Sequence, residues 1–269
     1  TGREREFHMP KHCPVCGREL KKARGEVNLY CVNKSCPARH RENLYHFVSR
    51  KAFNIDGLGP KILDAFLDNG LIRDAADIFE LKEGDIAPLE RFGEKSAKNI
   101  VSATKNSRKI PLARFLYALG ILHVGEETAI DLAEYFGSLG KLEKAGLEDL
   151  EKVPNIGEVV AKSAYDWFRD EHNKNFLKKL LKYVDIENPA KRKPGKLAGK
   201  TFVFTGEMES MSRDEAKVKV RELGGDPSET VSKNTDYVVA GQNPGSKYDR
   251  AKKLGVKIIS EKEFLNLIK

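Results

Sequence analysis

Cys13, Cys16, Cys31 and Cys36 are the only cysteines in the chain, and all four fall within 24 of its 269 residues. They form two knuckles, CPVC and CVNKSC, with fourteen residues between them. Thiolates paired in this way suit tetrahedral zinc, with Zn–S bonds of about 2.3 Å. Two disulfides are the rival reading, but nothing in the sequence marks secretion, and a cytosol keeps thiols reduced. The segment between the knuckles, GRELKKARGEVNLY, holds little hydrophobe. It cannot fold on its own core, so metal binding has to supply its folding energy. Four thiolates close the coordination shell and leave no place for a catalytic water. The expectation is one structural Zn2+, with His12 and His40 as flanking surface residues.

A second constellation repeats. Gly59, Gly93, Gly125 and Gly157 each follow an apolar residue, in GLGP, RFGE, HVGE and NIGE, at separations of 34, 32 and 32 residues. Four positions after the glycine stands Leu63, Ala97, Ala129 or Ala161. A period of this length implies one supersecondary unit per repeat, and each copy is predicted to be helix, tight turn, helix. The apolar faces after the turns are Ile62, Leu63, Phe66 and Leu67; then Ala97, Ile100, Val101 and Thr104; then Ala129, Leu132, Ala133 and Phe136; then Val160, Ala161, Ala164, Trp167 and Phe168.

Glycine at such a turn permits backbone conformations closed to other residues and removes a side chain from the approach. The following helix begins with unpaired N–H groups and the positive end of its dipole, and together these make a phosphate cradle. Lys61 and Lys95, two residues past the glycine, and Lys98 and Lys162, five past it, add positive charge. The candidate DNA-binding set is therefore Gly57, Gly59, Lys61, Gly93, Lys95, Lys98, Gly125, Gly157 and Lys162. The copies differ. Arg91 stands where the first copy has Gly57, which is expected to distort the second turn. Glu126 and Glu127 beside the third turn repel phosphate, so at least one repeat is expected to be mainly structural. Amide contacts to phosphate carry no base information, so the binding expected is sequence-independent and salt-sensitive.

A third constellation lies in the last seventy residues, where TFVF, YVVA and VKII read as strands alternating with helices near 213–223, 248–254 and 261–268. That pattern means a small α/β domain with a largely parallel sheet. Thr205 and Gly206 after the first strand, Arg213 at the first helix and Lys247 at the second could meet around one phosphate. The competing reading is a capping threonine and a surface lysine.

The elements that hold these residues divide the chain into a zinc finger (11–40), an all-α array of four hairpins (41–187), a basic linker (188–196) and the α/β domain (197–269). The formal charge of +8 and the pI of about 9.1 lean toward a polyanionic partner. The longest apolar run, Phe115–Leu122, is far shorter than the roughly 18 residues of a membrane span. No signal peptide opens the chain. A start at Thr1 rather than Met suggests a piece of a longer protein, although tag removal would leave the same end.

Three modules in this order resemble the C-terminal half of bacterial NAD-dependent DNA ligases. The matching strings are CPVCG with CVNKSCPAR, FNIDGLGPKI, RFGEKSAKNI, ALGILHVGEETA, VPNIGEVVAKS, TFVFTGEM, LGGDPSETVSKNTDYVVAG and GSKYDRAKKLGVKIISEKEF. The last module resembles a BRCT domain, and residues 1–10 would be the tail of a preceding OB-fold domain. The resemblance implies a cytoplasmic, monomeric enzyme that seals nicks between 3′-hydroxyl and 5′-phosphate ends in replication and repair, with NAD and Mg2+ bound outside this stretch. The family's adenylated lysine lies in a Lys-x-Asp-Gly motif. The nearest Asp-Gly here, Asp56-Gly57, has Asn54 two residues before the aspartate, so no catalytic residue is expected in this chain. Its role would be to clamp nicked double-stranded DNA, with a protein or a DNA end at the BRCT domain. The alternative is a non-catalytic repair scaffold joining duplex DNA to a protein partner. A hairpin-based glycosylase or nuclease has no acid–base pair to recommend it.

Overall fold

A computed structural model of the chain describes residues 9–22, 27–33, 35–189 and 195–269. The segment before the first knuckle and the basic linker lie largely outside these residues. The chain divides into two compact units, 1–151 with 158–189, and 152–157 with 190–269.

The first unit begins with β1 (Leu20–Lys22) and β2 (Leu29–Cys31), a short antiparallel pair with Leu20 opposite Cys31. Helices follow: α1 (Pro37–Val48), α2 (Pro60–Asp68), α3 (Glu83–Ile86), α4 (Glu94–Asn106), then β3 (Lys109–Pro111), α5 (Leu112–Ala118), α6 (Glu126–Phe136), α7 (Leu139–Lys144), α8 (Leu147–Glu151), α9 (Glu158–Arg169), α10 (Glu171–Leu180) and β4 (Asp185–Glu187). Four of them, α2, α4, α6 and α9, start directly after the aligned glycines. The residues four past those glycines, Leu63, Ala97, Ala129 and Ala161, are all fully buried, which is what lets the two helices of each hairpin approach closely. The partner helices are unequal. α1 and α5 are full helices, whereas α3 has four residues and α8 five.

Phe53 anchors the helical core. It stacks on Phe47 at 4.3 Å between centroids and meets Phe79 and Phe115 edge-on. Such aromatic pairs add about 0.5–1.5 kcal/mol each beyond their buried area. Ion pairs tie distant segments together: Arg41 with Asp64 and Asp68, and Lys179 on α10 with Asp74 and Asp77. β3 and β4 pair in parallel, Ile110 opposite Ile186, and join the middle of the helical chain to its end.

The second unit is a four-stranded sheet in the order β6-β5-β7-β8, formed by β5 (Thr201–Thr205), β6 (Asp226–Ser228), β7 (Tyr237–Ala240) and β8 (Lys257–Ser260), with every pairing parallel. Helices α11 (Arg213–Glu222), α12 (Ser246–Leu254) and α13 (Glu261–Ile268) cover it. Alternation along β5 sends Phe202 and Phe204 to one face and Val203 to the other. The phenylalanines pack with Ala216 and Val220 of α11 and Phe264 of α13, and Val203 packs with Val231, Val238 and Ala251 of α12. Ser212 and Ser260 close capping boxes with Glu215 and Glu263 and fix where α11 and α13 begin.

Candidate metal centre and nucleic-acid interface

The four cysteine sulfurs lie within 4.8 Å of one another, and none is in a disulfide. Cys13 Sγ is 3.8 Å from Cys36 Sγ, and Cys16 Sγ is 3.4 Å from Cys31 Sγ. Sulfurs at the corners of a tetrahedron with 2.3 Å radii would stand about 3.8 Å apart, whereas a disulfide needs about 2.05 Å. The first knuckle is closed by Gly17 N–H donating to Cys13 O and Cys13 N–H donating to Arg18 O, with Gly17 left-handed at φ 68°. The Arg18 N–H also holds the Cys16 thiol down at about 6, toward the thiolate that a metal requires. Cys36 is the residue from which α1 starts. His12 and His40 stand outside the four-sulfur group. The donor set fits one structural Zn2+.

The hairpin turns are superimposable in their chemistry. In each, an apolar residue accepts the N–H three positions on: Ile55 from Leu58 at 3.3 Å, Leu89 from Phe92 at 3.0 Å, Ile121 from Val124 at 3.0 Å, and Val153 from Ile156 at 3.2 Å. The third residue of every turn is left-handed: Gly57 at φ 83°, Arg91 at 69°, His123 at 65° and Asn155 at 63°. The expected distortion of the second turn is therefore absent. Arg91 takes the same conformation as Gly57 and bears the strain. Three of the five left-handed non-glycine residues among those described, Arg91, His123 and Asn155, sit at this one position, and strain of this kind persists only where the surroundings impose it. Replacing Arg91 by glycine is expected to raise unfolding stability by about 0.5–1 kcal/mol, the relief of a left-handed β-carbon less the entropy of a more flexible unfolded chain. Denaturant unfolding of the two chains checks this.

The aligned glycines two residues later are a different matter. Gly59, Gly93 and Gly125 have extended backbones, with φ of −79°, −154° and −80°, which any residue adopts. A β-carbon built on Gly59, Gly93, Gly125 or Gly157 meets nothing within 4 Å. Neither conformation nor internal packing calls for glycine there, contrary to the conformational reason expected from the sequence. What the glycines do is leave the N-termini of α2, α4, α6 and α9 open to an approaching group.

The charges around the four helix starts are unequal. Lys61, Lys95, Lys98 and Lys162 are all exposed, and Lys162 pairs with Asp166 one turn on at 3.0 Å. Only α2 has no acidic residue in its first turn; α4 has Glu94, α6 has Glu126 and Glu127, and α9 has Glu158. Glu126 pairs with Lys51 at 2.6 Å. In the second hairpin, Gly93 N–H donates to Ser96 Oγ at 3.0 Å.

In the α/β domain, Thr205 is buried and its Oγ1 accepts the N–H of Gly245, which precedes α12, at 3.2 Å. Gly206 is left-handed at φ 79°, and a β-carbon there would come within 2.4 Å of Gln242 O, so the crossing of two loops accounts for this glycine. Lys247 Nζ donates to Glu229 Oε2 at 2.7 Å. Arg213 is exposed at the start of α11 and makes no hydrogen bond or ion pair with Thr205, Lys247 or Glu229. The cation that α11 contributes is instead Lys217, one turn later, buried and paired with Glu229. Its only sequence signal is its place beside the apolar positions Ala216 and Val220.

Known families match this order of parts. The NAD-dependent DNA ligase C4 zinc finger domain matches residues 12–38. A SAM-like helix-hairpin-helix tandem matches residues 50–106, a helix-hairpin-helix motif matches 114–177, and the BRCA1 C Terminus (BRCT) domain matches 192–268. A DNA ligase of Desulforudis audaxviator is 49% identical over 271 residues, and one of Halothermothrix orenii is 46% identical over 273; both alignments take in 100% of this chain. A Coxiella burnetii DNA ligase is 44% identical over 97% of the chain. The chain spans about 40% of the length of these curated relatives. With its ligase-type zinc finger, tandem hairpins and BRCT domain in one line, the chain belongs to the NAD-dependent DNA ligases, whose C-terminal part it matches.

Proposed function

We propose that this stretch is the duplex clamp of a nick-sealing ligase. The hairpin amides and Lys61, Lys95, Lys98 and Lys162 hold backbone phosphates on a nicked double helix, without regard to sequence. The observation that carries this reading is the set of four helix N-termini, each preceded by a glycine whose open face no element of its own fold requires. Dipole and amides there favour an anion, and phosphates repeating along a duplex are the anion that suits four such ends in one array. The first hairpin makes the strongest contact, because α2 alone carries no acidic residue in its first turn. The zinc finger is a structural piece.

Adenylation and phosphodiester formation belong to parts of the enzyme outside this stretch, where NAD and Mg2+ bind. The strand ends of the BRCT domain, with Thr205, Gly206 and Lys247, serve as a second phosphate site.

The test is a titration of nicked and intact duplexes at rising salt, together with incubation in labelled NAD. Affinity is expected to fall about 10³-fold or more between 50 and 200 mM salt if six or more phosphates are held, with no preference among unrelated sequences and no label transferred to the chain. Salt-independent binding would contradict the phosphate grip. A labelled chain would contradict the division of labour.

A further inference from the structure

At the carboxyl ends of β5 and β6, two lysines from different helices converge on one carboxylate. Lys217 of α11 and Lys247 of α12 both donate to Glu229, which follows β6. The register that sets Val203 opposite Ser228 places Glu229 beside the last residues of β5, and Gly245, at the start of α12, is bonded to Thr205. Three chain segments thus meet at the point where anions bind in parallel sheets. The burial is uneven. The Lys217 side chain is 10% exposed, that of Lys247 30%, and that of Glu229 52%. An ammonium as buried as Lys217 requires an anion beside it, while the anion that it has is half in water. Asp214, at 3.6 Å from Lys217, is 80% exposed and adds little.

The charge does not balance. One carboxylate faces two ammonium groups, whereas a phosphomonoester carries close to two negative charges and three acceptor oxygens. Burial opposes the charged form of Glu229, but the two lysines outweigh it and hold the carboxyl at about 2. It therefore stays ionised at any physiological pH, and only a competing anion can take its place.

We propose that Glu229 is a resident counter-anion of this site and that the 5′-phosphomonoester of a DNA end displaces it to bind Lys217 and Lys247. The inference rests on the second phosphate site proposed above and on the chain being a DNA binder, which brings phosphate ends within reach. It adds that the site is self-occupied and that Lys217, not Arg213, is the cation of α11 that serves it.

The test uses the whole chain, with anisotropy titrations of a short 5′-phosphorylated single strand, the same strand with a 5′-hydroxyl, and a phosphoserine peptide. Glu229→Gln is expected to bind the phosphorylated strand about fivefold more tightly than wild type, with the hydroxyl strand unchanged within twofold. Glu229→Asp keeps the charge but shortens the reach, so it should shift binding in the same direction and show that displacement, not net charge, is responsible. Thermal midpoints confirm that both variants fold. Equal affinity in wild type and both variants would overturn the proposal, as would an equal gain for the hydroxyl strand or a gain confined to the phosphopeptide. If no chain binds the phosphorylated strand, the phosphate site falls as well. Nicked duplex lacking terminal phosphates, titrated alongside, reports on the hairpins alone.

Discussion

Asparagine in place of Gly59 is expected to weaken binding to a nicked duplex about tenfold, roughly 1.4 kcal/mol, while leaving the thermal midpoint within a few degrees of wild type. The two effects separate because of where Gly59 sits. Its backbone is extended and a β-carbon there meets nothing. Asparagine is also among the best residues for starting a helix, since its side chain accepts the first-turn N–H groups. The fold therefore loses nothing, while the amides become occupied and a side chain stands in the path of a phosphate. The same change at Gly125 is expected to cost less, because Glu126 and Glu127 already disfavour an anion at α6. Gly206 supplies the contrast. Its left-handed backbone and the 2.4 Å approach to Gln242 O mean that even alanine there must distort the domain. Midpoints from thermal unfolding and affinities from anisotropy, measured on the three variants, separate a glycine kept for a partner from one kept for the fold. Parallel losses of stability and binding at Gly59 would contradict this.

Removal of the metal is expected to have the largest structural effect. The finger has almost no core: Cys13 and Cys36 are buried, but Val15, Val27, Tyr30 and Val32 are exposed. Zinc binding in isolated fingers supplies about 10–16 kcal/mol of folding free energy, and nothing else in residues 11–36 could replace it. Chelation is expected to open the β1–β2 pair and fray the first turn of α1, which starts at Cys36. The hairpins should persist, because their core around Phe47, Phe53, Phe79 and Phe115 owes nothing to the metal. Limited proteolysis with and without chelator checks both statements: new cleavage within residues 11–36 and none in α5 or α6. An intact finger after complete metal removal would contradict the structural role.

Much of this architecture is legible in the residues, and the exceptions have physical reasons. The cysteine spacing and the period of 32 to 34 residues are local patterns repeated in register, so knuckles and hairpins could be placed without a structure. β6 escapes notice because Asp226-Pro227-Ser228 looks unlike a strand; it is tolerated because β6 is an edge of the sheet, where proline need not donate. β3 and β4 are three residues each and pair across more than seventy positions, a contact that no window of sequence contains. The left-handed position of the turns is hidden because Arg91, His123 and Asn155 occupy it as well as Gly57. The eye goes instead to the aligned glycines, whose backbones are ordinary. In the α/β domain the motif residues Thr205 and Lys247 are brought to one edge, but the meeting of Lys217 with Glu229 joins α11 to the end of β6, and sequence order says nothing about it.

The most direct measurement of the central claim is a nicked-duplex titration of the chain with Gly59, Gly93, Gly125 and Gly157 all changed to asparagine. If the four helix starts hold the phosphates, affinity falls about 10³-fold or more, the dependence on salt flattens as phosphate contacts are lost, and the thermal midpoint stays close to wild type. Wild-type affinity with an unchanged salt dependence in that folded variant would mean that the duplex is held by some other surface.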